Sequence, residues 1–271
     1  MSERADSVAR PCEGEARSIV RDGRRIGYFV RGAGQAIVLL PSLGREASDF
    51  NELTAVLAGN HRTIAIDPPG VGLSELPSEP VSLFDLADDV AAVIEAERGA
   101  PATLIGHAFG NRLARATAAR HAGAAARLIL IAAGGKYPIP GLAFDALLGC
   151  FNPDQPAEEH FACVAYGFFA DAEAVPDHWR RGWHPVTARI QGAAVRATPV
   201  ESWWPGGGLP MLVIQGEFDR IAPRADSADI LARDFPDRVR LVLIEQAGHA
   251  LLPEQPAAIA AAVSAILPPA A

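Results

Sequence analysis

The order in which short apolar runs and amphipathic segments alternate constrains this chain more than any other feature. Residues 36–40 are apolar without interruption, too short for a helix, and stopped by Pro41, as in a strand buried on both faces. From Asp49 to Leu57, Phe50, Leu53, Val56 and Leu57 recur at helical spacings. The cycle then repeats, with strands expected at 63–66, 103–105, 128–132, 212–215 and 241–244 and helices at 83–96, 111–121 and 256–267. Ser82 followed by Asp85 reads as a capping box opening the helix at 83. Ahead of the first cycle, Asp22-Gly23 sits between Ile19, Val20, Ile26, Tyr28 and Val30 and predicts an antiparallel hairpin at a sheet edge. Such alternation requires right-handed crossovers, and therefore an α/β fold with a mostly parallel central sheet and helices on both faces. Ligands of such folds bind beyond the C-terminal ends of the strands.

Between Gly134 and Pro210 the alternation stops for longer than an ordinary connection. The chain therefore divides into a core of residues 17–135 and 209–271, an inserted helical cap of residues 136–208, and a polar leader of residues 1–16, expected to be frayed or disordered, with no apolar stretch of signal-peptide length. The insertion is rich in aromatic residues. Trp203 and Trp204 in it are candidates both for its own core and for contact with a substrate. A hydrophobic fraction of 49% with 21% charged residues is a globular balance. The net charge of −8 provides no basic footprint for nucleic acid or an anionic membrane, which leaves a small molecule as the expected partner. The three cysteines form no C-x-x-C pair and no metal-ligand spacing, so the expectation is a reduced, cytoplasmic protein without a metal. No phosphate-binding, flavin or nicotinamide signature follows a predicted strand, and cofactor-independent chemistry is expected.

At the end of the strand near 105 stands Gly106-His107-Ala108-Phe109-Gly110, with glycines two residues either side of Ala108 where a strand turns sharply into a helix. Further along come Asp219, after one strand, and His249, after the last. Turn, acid and histidine in this order resemble the α/β-hydrolase superfamily, and the resemblance extends over residues 18–267. It includes Asp67-Pro68-Pro69-Gly70-Val71-Gly72-Leu73-Ser74, which is similar to the family's D-x-R-G-x-G-x-S turn with Pro69 in place of the arginine.

The resemblance implies an α/β-hydrolase fold with an inserted lid. It makes His249 the general base, Asp219 the carboxylate that orients it, and Ala108 the occupant of the nucleophile position. It also implies an oxyanion hole from the backbone N–H groups of Leu43 and Phe109. Where the family commonly has His-Gly the chain has Pro41-Ser42, which makes Ser42 and Arg45 candidates for substrate contact, beside the plainer readings of a turn cap and a solvated charge. Asn111 and Arg112 read as capping and surface groups at a helix start. His107 is expected to pack or hydrogen-bond beneath the turn.

Alanine has no nucleophilic atom, so a covalent acyl-enzyme route through position 108 is closed. Three accounts remain. The first is an enzyme of small, moderately apolar ester- or carbonyl-type substrates that uses His249–Asp219 as a base without a serine. The second is a serine hydrolase inactivated by an engineered serine-to-alanine exchange, and the third is a non-catalytic binder of small molecules.

Overall fold

The computed structural model describes residues 9–268. Its sheet contains β1 (Glu15–Arg21), β2 (Arg24–Arg31), β3 (Ala36–Leu40), β4 (Arg62–Ile66), β5 (Ala102–His107), β6 (Ala125–Ile131), β7 (Met211–Gly216) and β8 (Val239–Ile244), in the spatial order β1-β2-β4-β3-β5-β6-β7-β8. The hairpin β1–β2 and the pair β2–β4 are antiparallel, and from β4 to β8 every pairing is parallel. The turn at Asp22 and Gly23 uses positive φ at both residues, 51° and 75°, as a tight hairpin turn requires.

Alternation along each strand divides the apolar runs between two cores. In β3, Ala36, Val38 and Leu40 face one side, with α2 (Leu83–Ala96), α3 (Phe109–Arg120) and α8 (Ala228–Asp234) packed there. Ile37 and Leu39 face the other side, covered by α1 (Asn51–Leu57) and α9 (Pro256–Ser264). Burying each such Ile or Leu contributes about 1.5–3 kcal/mol, so a parallel centre apolar on both faces is stable only with helices on both sides. The capping box forms as read: Ser82 Oγ accepts the Asp85 N–H, and the Asp85 carboxylate accepts the Ser82 N–H. Helix α8, between β7 and β8, went unread because its seven residues offer little more than one apolar turn.

Between β6 and β7 lie α4 (Gly141–Cys150), α5 (Ala157–Phe168), α6 (Pro185–Arg196) and the short α7 (Val200–Trp203). A third core joins Leu147, Val164, Phe168, Phe169, Trp179 and Trp183. The last part of this segment behaves differently, because Trp203 and Trp204 belong to the sheet-face core beside α3.

The first eight residues of the expected leader lie outside the described residues. The remainder is not a loose tail. The Ala9 N–H donates to the Glu46 carboxylate, Arg10 pairs with Glu52 on α1, and Asn51 holds Pro11 and Glu13. No helix among the described residues is long and apolar enough to cross a membrane.

Candidate active site

Ala108 sits between β5 and α3 with φ 48° and ψ −106°. Its N–H remains tied to Ile131 O at 2.9 Å, so the chain leaves the strand and enters the helix within one residue. A non-glycine residue there costs on the order of 1–3 kcal/mol. A Cβ on Gly106 would collide with Gly110 O, and one on Gly110 with Leu40 O, so both flanking glycines are required by close backbone approach. Ala132, Gln246 and Leu251, which follow β6 and β8, also hold positive φ. Backbone strain is thus concentrated at one end of the sheet.

His249 lies in the loop between β8 and α9 and is 4% exposed. Its Nδ1 stands 2.9 Å from each carboxylate oxygen of Asp219. Asp219 Oδ1 also accepts the N–H groups of Ile221 and Ala222, and Oδ2 accepts Gln215 Nε2. With both oxygens accepting, the carboxylate receives a hydrogen bond from Nδ1–H, the tautomer that leaves the lone pair on Nε2. Glu217, two residues before Asp219, instead accepts the Gln246 N–H at the surface.

The imidazole is held from other sides too. The Phe168 ring meets it edge-on at 5.4 Å, and His107 lies tilted at 5.7 Å. His107 Nε2 donates to His249 O at 2.8 Å. Burial, reinforced by His249, lowers the His107 pKa to about 3, so His107 is a neutral strut beneath the turn. Glu254 accepts the N–H groups of Ala170, Gly248 and Leu251 and knits the histidine loop to the end of α5, and its own burial raises its pKa.

These groups border a cavity of about 240 Å³. Ser42, Leu43, Ala108, Phe109, Ala132 and His249 line its core side. Ile139, Phe144, Leu147, Phe168 and Val195, from or beside the inserted helices, line the other. Phe109 opens α3, so its N–H is one of the unpaired donors of a helix start.

Three expected contacts lie elsewhere. Arg45 is neither solvated nor among the residues lining the cavity. It is fully buried, pairs with Asp49 at 2.6 Å, donates to Arg181 O and Gly182 O, and lies 4.3 Å and 4.8 Å from the rings of Trp179 and Trp183. Trp203 and Trp204 also miss the cavity. They flank the buried Arg115 guanidinium at 4.7 Å and 4.6 Å and complete the packing beside α3.

Arg112, read as a surface group, lines the cavity instead. Its position one helical turn beyond Ala108 was the available signal, since residues four apart share a helix face. Gln215 and Glu254 carried no comparable signal: Gln215 reaches Asp219 and Ala222 only because the loop after β7 folds back on it, and Glu254 binds Ala170, which is distant in sequence.

A model of the alpha/beta hydrolase family matches residues 37–262. The chain is 29% identical over 259 residues to a 2-hydroxymuconate semialdehyde hydrolase from Pseudomonas sp. (strain CF600), covering 86% of this chain and 87% of that one. It is 26% identical over 238 residues to a 2-(acetamidomethylene)succinate hydrolase from Mesorhizobium japonicum, covering 81% and 83%. Among solved structures, a serine-to-alanine variant of a meta-cleavage product hydrolase from Pseudomonas fluorescens IP01, complexed with acetates, superposes with a TM-score of 0.76 at 21% identity, covering 91% of this chain and 95% of that chain.

Proposed function

Because the chain belongs to the alpha/beta hydrolase family, we propose that it is a hydrolytic enzyme of small carbonyl or ester substrates, working through a His249–Asp219 base without a covalent nucleophile. The observation that carries this reading is the fully oriented imidazole, with Nδ1 committed to Asp219 and Nε2 left free in a residue that lines the cavity. A side chain held this firmly is prepared for proton transfer.

In this reading a water occupies the space beside the Ala108 methyl, where a serine hydroxyl would otherwise stand. His249 Nε2 takes one of its protons as the water oxygen bonds to the substrate carbonyl carbon. The carbonyl electron pair moves onto oxygen, which the N–H groups of Phe109 and Leu43 stabilise. The tetrahedral species collapses, the bond to the leaving group breaks, and the leaving group takes the proton back from His249. Asp219 offsets the imidazolium charge throughout. The helices between β6 and β7 act as a lid that limits bulk water. The hydrolase names of the two relatives support a hydrolytic over a purely binding role.

Asp219→Asn tests this reading. An asparagine can turn its amide N–H toward Nδ1, which moves the imidazole proton to Nε2 and removes the base. The expected loss of turnover is about 100-fold or more, with binding of a substrate analogue retained. Unchanged turnover would remove the dyad from the mechanism.

A further inference from the structure

The same cavity is lined by a cation, Arg112, that pairs with no carboxylate among the described residues. Arg112 extends from the first turn of α3 into the cavity wall. Its Nε is buried without a hydrogen-bond partner, and burial alone, with no carboxylate opposing it, lowers its pKa to about 10. The fully buried arginines near the site differ. Arg45 has Asp49, and Arg115 is bonded to Asn111 and Gly134 O. Gly135, at φ +114°, makes the space for Arg112, because a Cβ there would come within 2.8 Å of Nε. The charged neighbours in the lining are the exposed Arg196 and the exposed Asp226.

Resting on the reading of this cavity as the substrate site, we propose that Arg112 is a specificity-determining residue that binds the carboxylate of an anionic substrate. A half-buried guanidinium without a counter-ion carries part of its desolvation cost uncompensated, and a bound carboxylate compensates it through paired N–H donors. Arg112 lies about one helical turn, roughly 5.4 Å, from Ala108. The substrate is therefore a small acid whose reacting carbonyl is a few bonds from its carboxylate, with the carbonyl at Phe109 and the carboxylate at Arg112.

The test is binding, which needs no turnover, so a failure of the hydrolytic reading and a failure of this one are separable. The probes are 5-oxohexanoate, a keto acid of suitable length, and its neutral counterpart 5-oxohexanamide, titrated into the full chain and followed by NMR. The acid is expected to bind about tenfold or more tighter than the amide. Arg112→Gln should abolish that preference and Arg112→Lys should retain part of it, each with thermal unfolding measured as a check on folding. Should Arg112→Gln fail to fold, the Nε–H resonance of Arg112 in the unaltered protein decides, since it should shift with the acid and not with the amide. Equal binding of acid and amide, no binding of either, or a preference that survives Arg112→Gln would overturn the proposal.

Discussion

His249 Nδ1 lies 2.9 Å from both oxygens of Asp219, although the two residues are 30 positions apart on loops that leave different strands. The adjacency of β7 and β8 at the sheet edge places the loops side by side. Gln215, Ile221 and Ala222 then fix the carboxylate, and Phe168 and His107 fix the ring. The pairing is a product of the parallel sheet, whose neighbouring strands bring the two loops together.

Ala108→Ser asks whether the alanine is integral to the chemistry. The backbone at φ 48° already accommodates a side chain, so the added hydroxyl needs no rearrangement. The account predicts that hydrolysis of aryl esters changes by less than about tenfold, with no burst of an acyl intermediate. A gain of several orders of magnitude would identify a serine hydrolase lacking only its nucleophile.

Arg45→Ala should destabilise the protein by about 3–5 kcal/mol, because it leaves Asp49 buried without its partner and opens the space between Trp179 and Trp183. Thermal or urea unfolding reads the loss. Arg45→Lys should recover only part of it, since an ammonium cannot make the paired contacts to Asp49 and the two carbonyl groups.

Asp67 gives stability a pH dependence of predictable sign. Burial, assisted by Glu46, raises its pKa to about 7, against the partly compensating N–H groups of Ala47 and Leu73. The folded state therefore holds this proton more tightly than the unfolded chain. The contribution is fully present below the ordinary carboxylate value of ~3.9 and is lost as pH rises toward about 7. His107, whose pKa is lowered to about 3, acts in the opposite direction, with stability present above its ordinary value and lost as pH falls. The difference between Asp67→Asn and the unaltered protein isolates the aspartate. That difference should shift in favour of the variant between pH 4 and 7, by on the order of a few kcal/mol.

The sheet was legible from the sequence because its signals are local. An apolar run ended by Pro41, the Asp22-Gly23 turn and the Ser82–Asp85 capping box each declare an element within a few residues. The candidate dyad was legible through the order of elements. Arg45, Trp203, Trp204 and Arg112 were not, for one physical reason. The direction of a long side chain depends on what packs around it, and those neighbours come from distant segments. Trp179 and Trp183 draw Arg45 inward, Arg115 draws both tryptophans against α3, and the open backbone of Gly135 leaves Arg112 room at the cavity wall.

The most direct test of the central claim is steady-state turnover of short-chain 4-nitrophenyl esters by the unaltered protein and by His249→Ala. The account predicts measurable turnover that falls by about 100-fold or more in the variant, with the variant still folded. Equal rates in the two proteins, or no turnover above buffer in either, would contradict it.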